Sequence, residues 1–302
     1  MAGILLWGTG LCGRAEETSP DLLSKAAPPG VVDILELSPW FDLSIVREGP
    51  KSRCWVSSQC REGPPLIITG SCSSSLDLAW HFHRMGILPV WGSVLSHSQW
   101  AGRGQFGRVW LSPPGNIYAA WRLPNPPRPW ADMLSLVVGY MIIRGLMSEG
   151  ISVRLKWPND LVIDRKKVGG ILIEAKRDAI IAGVGINLVS SPEKLQLDDP
   201  LALPPISLKA AGYSARLLDL WNRLVLIGQS CCHETIFSGS PERFISYLQP
   251  HLAFMGEEVT IDDHRGAGLY RAETVGLDRS GGLLIRVSSG RERVIHSGKI
   301  YP

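Results

Sequence analysis

The chain has 302 residues, room for two domains at about 150 residues each. Hydrophobic residues make up 45% and charged residues 20%, a globular balance that excludes wholesale disorder. Thirty-one Lys and Arg against 28 acids leave +3, too small a bias to imply nucleic-acid binding from bulk charge. The six cysteines, Cys12, Cys54, Cys60, Cys72, Cys231 and Cys232, contain no CxxC, which argues against structural zinc or a disulfide framework.

The start, MAGILLWGTG, lacks a basic n-region and a long apolar h-region, so no signal peptide is read there. Residues 1–62 read as a small irregular unit. Gly3–Trp7 and Val31–Leu37 are candidate strands, and Ser19-Pro20-Asp21 is an N-cap with proline at the first helical position. Glu62-Gly63-Pro64-Pro65 is the linker candidate. From Leu66 strands and helices alternate. Strand Leu66–Thr69 leads through a serine cluster into a helix, Leu76 to Met85, that stops at Gly86. Strand Val90–Ser96 then opens a glycine- and arginine-rich loop, Ala101–Arg108. Ile117–Arg122 is a strand and Trp130–Gly150 a long helix. Its most apolar part, Met133 to Met147, falls short of the roughly 20 residues of a bilayer span and reads as buried. No membrane segment is expected, and a cytoplasmic location is.

Short strands follow at Val153–Lys156, Leu161–Ile163, Ile171–Ala175 and Ile180–Gly185, with the Gly169-Gly170 pair read as a hairpin turn. Ser214 to about Phe237 is an amphipathic helix, and Ser240-Pro241-Glu242 starts a shorter one ending near Leu248. Beyond Phe254 the pattern is all β, with strands at Glu257–Ile261, Leu269–Leu277, Leu283–Val287 and Arg293–His296 and turns at Gly266, Ser280-Gly281-Gly282 and Ser289-Gly290. The expected fold class is α+β: a mixed, mostly antiparallel sheet with helices, plus a small C-terminal β-barrel. The expected domains are 1–62, 63–253 and 254–302.

Several local patterns carry little. Gly8-Thr9-Gly10-Leu11-Cys12-Gly13 fits GxGxxG, with Asp33 and Glu36 downstream. Pro20 interrupts the helix that should follow, so a glycine-rich turn is expected. Cys231-Cys232-His233-Glu234 reads as one helix rather than a metal cluster, because adjacent helical residues point apart. Asp262-Asp263-His264 suits a hairpin turn. His81, His83 and His97 have no carboxylate at a suggestive spacing and read as packing or surface residues.

Three segments break the local rules. Gln99-Trp100-Ala101-Gly102-Arg103-Gly104-Gln105-Phe106-Gly107-Arg108-Val109-Trp110 is a cationic loop. Its glycines let backbone N–H groups approach an anion, and its arginine forks match phosphate or carboxylate. Leu155-Lys156-Trp157-Pro158-Asn159-Asp160-Leu161 is a tight turn carrying an amide, a lysine and a carboxylate able to hold Mg²⁺. Arg165-Lys166-Lys167-Val168-Gly169-Gly170-Ile171-Leu172-Ile173-Glu174 places a lysine, suited to an anionic intermediate, before an apolar strand.

Together these segments resemble the biotin protein ligases, with their GRGRxGRxW-type loop, KWPND turn and K-x-x-GIL-x-E strand in that order. Gly183-Val184-Gly185-Ile186-Asn187-Leu188 resembles the family's G-x-GIN strand. The resemblance runs from about Leu66 to the C-terminus. It implies an enzyme that activates biotin with ATP and Mg²⁺ to biotinyl-5′-AMP and transfers it to a lysine of a biotin carboxyl carrier protein. By the same resemblance, Ser73, Ser74 and Ser75, with Gln99, hold the biotin ring system. Gly102, Arg103, Gly104 and Gln105 close over biotin, and Trp110 and Gly170 line the site. Lys167, Arg103 and Arg108 are the catalytic cations, Asn159 and Asn187 lie on the ATP side, and Asp160 binds the metal. Val189 to Pro205 is the adenine-side loop, with no individual contact assigned. Leu76 stands where asparagine is usual in the family, and Gln105 where arginine is. The competing readings are a lipoate or octanoate ligase-like transferase and a non-catalytic biotin-binding protein. An exposed sheet edge would serve a homodimer or the carrier domain. Residues 1–62 show no helix-turn-helix pattern, so no DNA contact is expected from them.

Overall fold

The structure, a computed structural model, describes all residues except 1–2, 12, 26–35, 44–51, 60–62, 177, 197–198 and 264–267. The expected strand at Val31–Leu37 therefore lies largely outside the described residues, as do Cys12, Asp33, Cys60, Glu62, His264 and Gly266. The chain divides into two compact units. One comprises Met1–Asn125, Gly170–Pro192 and Ile206–Leu226, the other Pro126–Gly169, Glu193–Pro205 and Ile227–Pro302.

In the first unit, β1 (Ile4–Trp7) runs parallel to β4 (Leu66–Cys72), with Ile4 opposite Leu66 and Trp7 opposite Thr69. The other side of β1 pairs antiparallel with β3 (Cys54–Ser57), and β3 pairs antiparallel with β2 (Trp40–Asp42). These three residue-poor strands were only partly anticipated: β2 and β3 are too short to show a period. The N-terminal helix α1 (Pro20–Lys25) begins as read, with the Ser19 hydroxyl accepting the Leu22 N–H at 3.1 Å.

From β4 the chain crosses through α2 (Ser75–Arg84) to β5 (Ser93–Gln99), parallel to β4. β6 (Ile117–Leu123) and β10 (Ala179–Ile186) continue antiparallel, with Ile117 opposite Ile186 and Leu123 opposite Ile180. The strand order is β2-β3-β1-β4-β5-β6-β10, followed by β9 (Lys166–Lys176), which starts in the second unit. The mixed sheet expected from the sequence is therefore present. Its inner strands read as continuous apolar runs, such as IYAAWRL, because both faces are covered. α2 buries Leu76, Leu78, Ala79, Trp80 and Phe82 against Trp7, Ile67, Cys72, Val94 and Ile181. Gly183 lacks the Cβ that would meet the Leu76 side chain at 2.8 Å, so α2 sits down close on β10. α2 ends through Met85, and Gly86 takes the left-handed conformation (φ +70°) that a helix stop favours.

In the second unit, a 3₁₀ turn at Trp130–Met133 leads into α3 (Leu134–Ser148). Trp130–Ser148 is long and apolar enough to cross a membrane by composition alone, yet most of it is buried inside the fold. It is a core helix: Gly139 leaves room for Leu155, whose Cδ1 would lie 2.8 Å from an added Cβ. β7 (Arg154–Lys156) and β8 (Asp160–Ile163) form a hairpin in which Lys156 stands opposite Asp160. The next turn is at Asp164-Arg165, with φ of 45° and 61°, the pair of left-handed residues that tight hairpins use. Gly169-Gly170, read as the turn from sequence, instead lie inside β9. Glycine allowed a turn there but did not require one, and Arg165 is held in its turn by Glu257 at 2.7 Å and by the Phe254 ring.

α4 (Leu217–Cys232) passes into a π-helical turn at His233–Phe237. α5 (Pro241–Leu248) follows, capped by Ser240, which accepts the Arg243 N–H. The C-terminal strands β11 (Glu258–Asp262), β12 (Tyr270–Leu277), β13 (Leu283–Val287), β14 (Glu292–Ile295) and β15 (Lys299–Tyr301) lie in the order β14-β13-β12-β11-β15. Every pair is antiparallel, and alternate residues such as Val259, Ile261, Ala272, Ile285 and Ile300 turn inward. Among the described residues β14 and β15 do not pair, so the expected barrel is an open five-stranded sheet. Asp262 belongs to β11 rather than to a turn.

Trp121 is a central packing residue of the first unit. It is fully buried, its ring lies against Trp91 and Trp221, and its indole N–H donates to the Trp91 carbonyl at 3.2 Å. Trp121→Ala is expected to destabilise folding by about 3–5 kcal/mol, measured by urea unfolding.

Candidate active site

β4 gives way to α2 at Ser73–Ser75, where the helix leaves its first N–H groups without intrahelical partners. Ser74, in an extended conformation, is the N-cap, and its hydroxyl accepts the Leu76 N–H at 3.2 Å. The Ser75 N–H is taken by Gln99 Oε1 at 2.7 Å, from the end of β5. Ser73 donates its hydroxyl to Asp77 at 2.9 Å. The sequence therefore placed the cap correctly, and the structure adds Gln99 as a second cap from another strand.

The other end of the Gln99 amide donates to Ser112 Oγ at 2.9 Å, and Ser112 in turn donates to the Trp110 carbonyl at 3.0 Å. Between them the glycine- and arginine-rich loop folds into a narrow hairpin. The Trp110 N–H donates to the Gly102 carbonyl at 2.9 Å, the Gly104 N–H to the Arg108 carbonyl at 2.8 Å, and Arg103 bridges Val109. A Cβ at Gly102 would collide with the Trp110 carbonyl, and Gly185 is bare because the Trp110 indole packs where its Cβ would be, at 2.6 Å. Gln105–Gly107 form a short 3₁₀ turn with Phe106 left-handed at φ 59°. Phe106, Val109 and Trp100 are exposed.

Arg103 does not stand free. Its guanidinium reaches Asp77 at 2.9 Å and Glu174 at 3.1 Å, and the Trp80 N–H donates to the second oxygen of Glu174 at 2.6 Å. One cation is shared by two carboxylates, so this group is net anionic. Burial of Arg103 works against its charge, but the hydrogen bonds and charges of Asp77 and Glu174 outweigh it and leave its pKa raised. Cys72 lies buried beneath the serine turn. Burial pushes its thiol up to about 12, with Ser96 as its hydrogen-bond partner.

Directly after β10, Asn187 is buried and donates to the Ile206 carbonyl at 3.1 Å. The turn after it is organised by a residue the sequence reading missed. Asn116 is buried, and its Oδ1 accepts the N–H groups of Leu188, Val189 and Ser190 at 2.8, 3.0 and 3.2 Å. Gly-Asn is a common turn dipeptide, and only the fold reveals three donors converging on Asn116.

In the second unit the KWPND turn and the start of β9 build a charge group of the opposite sign. Lys156 reaches one oxygen of Asp160 at 2.9 Å and Lys167 reaches the other at 2.6 Å. Lys156 and Asn159 are buried, and the Lys167 N–H donates to the Pro204 carbonyl at 2.9 Å. Burial tends to raise the Asp160 pKa, but the two ammonium groups and their hydrogen bonds overcome it and hold the carboxyl well below its ordinary range. Two cations share one carboxylate here, so the group is net cationic. Asp160 does not fit the expected role of Mg²⁺ ligand: both oxygens are occupied by ammonium groups. Among the described residues no three His, Cys, Asp or Glu side chains cluster as a metal site.

Among the other predicted residues, Gly170 lies inside β9, Gln105 in the loop's 3₁₀ turn, and Arg108 follows it, half-buried. His83, read as lacking a carboxylate, pairs with Asp178 at 2.8 Å. Asp178 comes from the turn between β9 and β10, which no sequence spacing could reveal. Cys231 and Cys232 are both buried.

Residues 70–189 match the model of the biotin/lipoate A/B protein ligase family. That segment is a domain of this family. The chain is 29% identical to the biotin–[acetyl-CoA-carboxylase] ligase of Paracoccus denitrificans over 240 residues, covering 69% of this chain and 89% of that protein. It is 42% identical to the bifunctional ligase/repressor BirA of Escherichia coli over 114 residues, a partial match covering 35% of each. In fold it is similar to the biotin protein ligase of Aquifex aeolicus solved with biotin and ATP, with a TM-score of 0.64 and 24% identity over 78% of this chain and 97% of that one. The ligase-family domain thus contains the serine turn, the arginine loop, the KWPND turn and Lys167.

Asp160→Asn leaves two ammonium groups facing each other, and is expected to cost about 3 kcal/mol at neutral pH, read from denaturant midpoints. Because the folded pKa is depressed, the wild-type advantage is fully present above the unfolded carboxyl value near 4. It fades only as pH falls from there toward the folded value. Asn116→Ala strands three backbone donors and is expected to cost about 2–4 kcal/mol, with faster amide exchange at Leu188–Ser190.

Proposed function

We propose that the chain is a biotin protein ligase, using ATP to activate biotin and a biotin carboxyl carrier protein as acceptor in the cytoplasm. The observation that carries the reading is the Lys156–Asp160–Lys167 group inside the ligase-family domain: a net positive, partly sheltered site whose Lys167 side chain is 30% exposed and can meet an anion. The names of the relatives point the same way.

In this reading Ser73, Ser74, Ser75 and Gln99 hold the ureido ring, with the serine turn supplying fixed dipoles. Gly102, Arg103, Gly104, Gln105 and Trp110 cover the acid, and Gly170 lets the strand approach it. A carboxylate is a poor acyl donor because oxide would have to leave. One carboxylate oxygen of biotin therefore attacks the α-phosphorus of ATP, the α–β bridging P–O bond breaks, and pyrophosphate departs. Lys167 and Arg108 offset charge on the reacting oxygens. Arg103 joins them by exchanging Asp77 or Glu174 for phosphate. Asn159 and Asn187 serve the nucleotide, and Asp160 acts by positioning Lys156 and Lys167. The closed loop keeps water from the mixed anhydride. The acceptor lysine then attacks as the neutral amine, AMP leaves, and the amine proton passes to solvent.

Incubation with biotin, ATP, Mg²⁺ and a biotin carrier domain is expected to give the mass shift of one biotinyl group by intact-mass spectrometry, and lipoate or octanoate in place of biotin is expected to give none. Lys167→Ala is expected to slow transfer by about a hundredfold or more. A shift with lipoate alone, or tight biotin binding without transfer, would overturn the ligase reading.

A further inference from the structure

The N-terminal strands carry no part of the function proposed above, and their GxGxxG motif remains unassigned. Gly8 does not cradle a phosphate. The space its Cβ would fill is occupied by the Thr18 carbonyl and the Trp55 ring. The Gly8 and Thr9 N–H groups both donate to the Arg53 carbonyl, at 2.9 and 3.3 Å, and Arg53 N–H returns to Thr9 Oγ1 at 2.9 Å. Gly10 is left-handed at φ +81°. The motif is a tight turn, and its effect is to send the chain back along the end of β4. There the Thr18 N–H donates to the Gly8 carbonyl at 3.0 Å, and Gly70 of β4 leaves the space into which Thr18 packs, its Cβ 3.1 Å from where a Gly70 side chain would begin.

The returning segment then pairs with the run that becomes the serine turn. Ala15 forms an antiparallel bridge with Cys72. The Glu16 N–H donates to the Ser71 carbonyl at 2.9 Å, and the Ser73 N–H donates to the Arg14 carbonyl at 2.7 Å. The opposite edge of the same run is held by the arginine loop: the Trp100 N–H donates to the Cys72 carbonyl and the Ala101 N–H to the Ser73 carbonyl, both at 3.0 Å. Ser71–Ser73 is thus clamped between the N-terminal segment and the loop. Both the start of α2 and the loop hang from it. Without the returning segment, Ser71–Ser73 would be an unpaired sheet edge, and the angle of the first turn of α2 would lose one of its two supports.

We propose that residues 14–18 are a built-in strap whose backbone positions the Ser73–Ser75 turn and thereby sets the affinity of the site for biotin. Residues 14, 16 and 18 are positioning residues, acting through Ser71–Ser73 and Gly70. Preorganisation of this kind shows in binding of the ligand that the turn contacts, and not in steps governed by groups elsewhere. The inference rests on the ligase reading for the identity of the ligand, but not for the strap itself.

Glu16→Pro in the full-length chain removes the donor to Ser71, while Glu16→Ala keeps it and alters only an exposed side chain. Gly70→Ala presses on Thr18 from the other partner. Glu16→Pro and Gly70→Ala are expected to raise half-saturating biotin about tenfold. Turnover at saturating biotin and half-saturation by ATP should stay within about twofold of wild type, and Glu16→Ala should match wild type throughout. In the free protein, hydrogen–deuterium exchange of the peptide spanning Ser71–Ser75 is expected to speed up in the same two variants. Unchanged exchange there overturns the strap, whatever the ligand. Faster exchange with unchanged biotin dependence, or biotin and ATP half-saturation rising together, overturns its role in affinity. A wild-type chain that neither binds nor transfers biotin overturns the ligase reading and the biotin assignment with it, while the exchange experiment still decides the strap.

Discussion

A helix that begins at the end of a buried strand has donors that must be satisfied before anything else can be built on it. At Ser73–Ser75 this is done from two directions. Ser74 caps Leu76 from within, and Gln99 caps Ser75 from the neighbouring strand. Because the same Gln99 amide holds Ser112, the start of α2, the end of β5 and the closing side of the arginine loop are tied together by one side chain. The packing of Trp110 into the space left by Gly185 and of Leu76 into that left by Gly183 secures the arrangement against β10. Rigidity of this kind is what a site needs if its dipoles are to be fixed before a ligand arrives.

The charges are arranged as two opposite groups, each within its own unit. Arg103 shared between Asp77 and Glu174 is net negative and fastens a loop. Asp160 shared between Lys156 and Lys167 is net positive and holds two ammonium groups at fixed positions. Partly buried pairs are weak sources of stability, since desolvation offsets attraction. Their value here is geometric: each central residue fixes the direction of two partners. The carboxylate at 160 fixes the positions of both lysine ammonium groups.

The N-terminal residues illustrate how a motif can be misjudged in either direction. Glycines spaced as in a dinucleotide fingerprint serve a turn whose bare positions are filled by the Thr18 carbonyl and the Trp55 ring. The strands around them extend the sheet beyond β4 and lay Arg14–Glu16 beside the serine turn. A short strand paired on both edges is constrained in a way that its own residues do not announce.

Much of the layout was legible because it rests on local physics. The Ser74 cap, the Gly86 stop, the Ser240-Pro241 helix start and the continuous apolar strands follow from backbone donors, left-handed φ and burial on two faces, all of which leave a mark within a few residues. The ordered motifs likewise pointed to the ligase-family domain. What sequence by itself could not decide was which groups meet. The sharing of Arg103 by residues 77 and 174, the pairing of His83 with Asp178, the three donors on Asn116 and the bonds from Arg14 and Glu16 to the serine turn join positions tens of residues apart. The same holds for Gly169-Gly170, where glycine permitted a turn and the pairing of β9 imposed a strand. Local chemistry set the elements and their ends. Tertiary structure chose the partners, because hydrogen bonds and ion pairs depend on distances that only the folded chain defines.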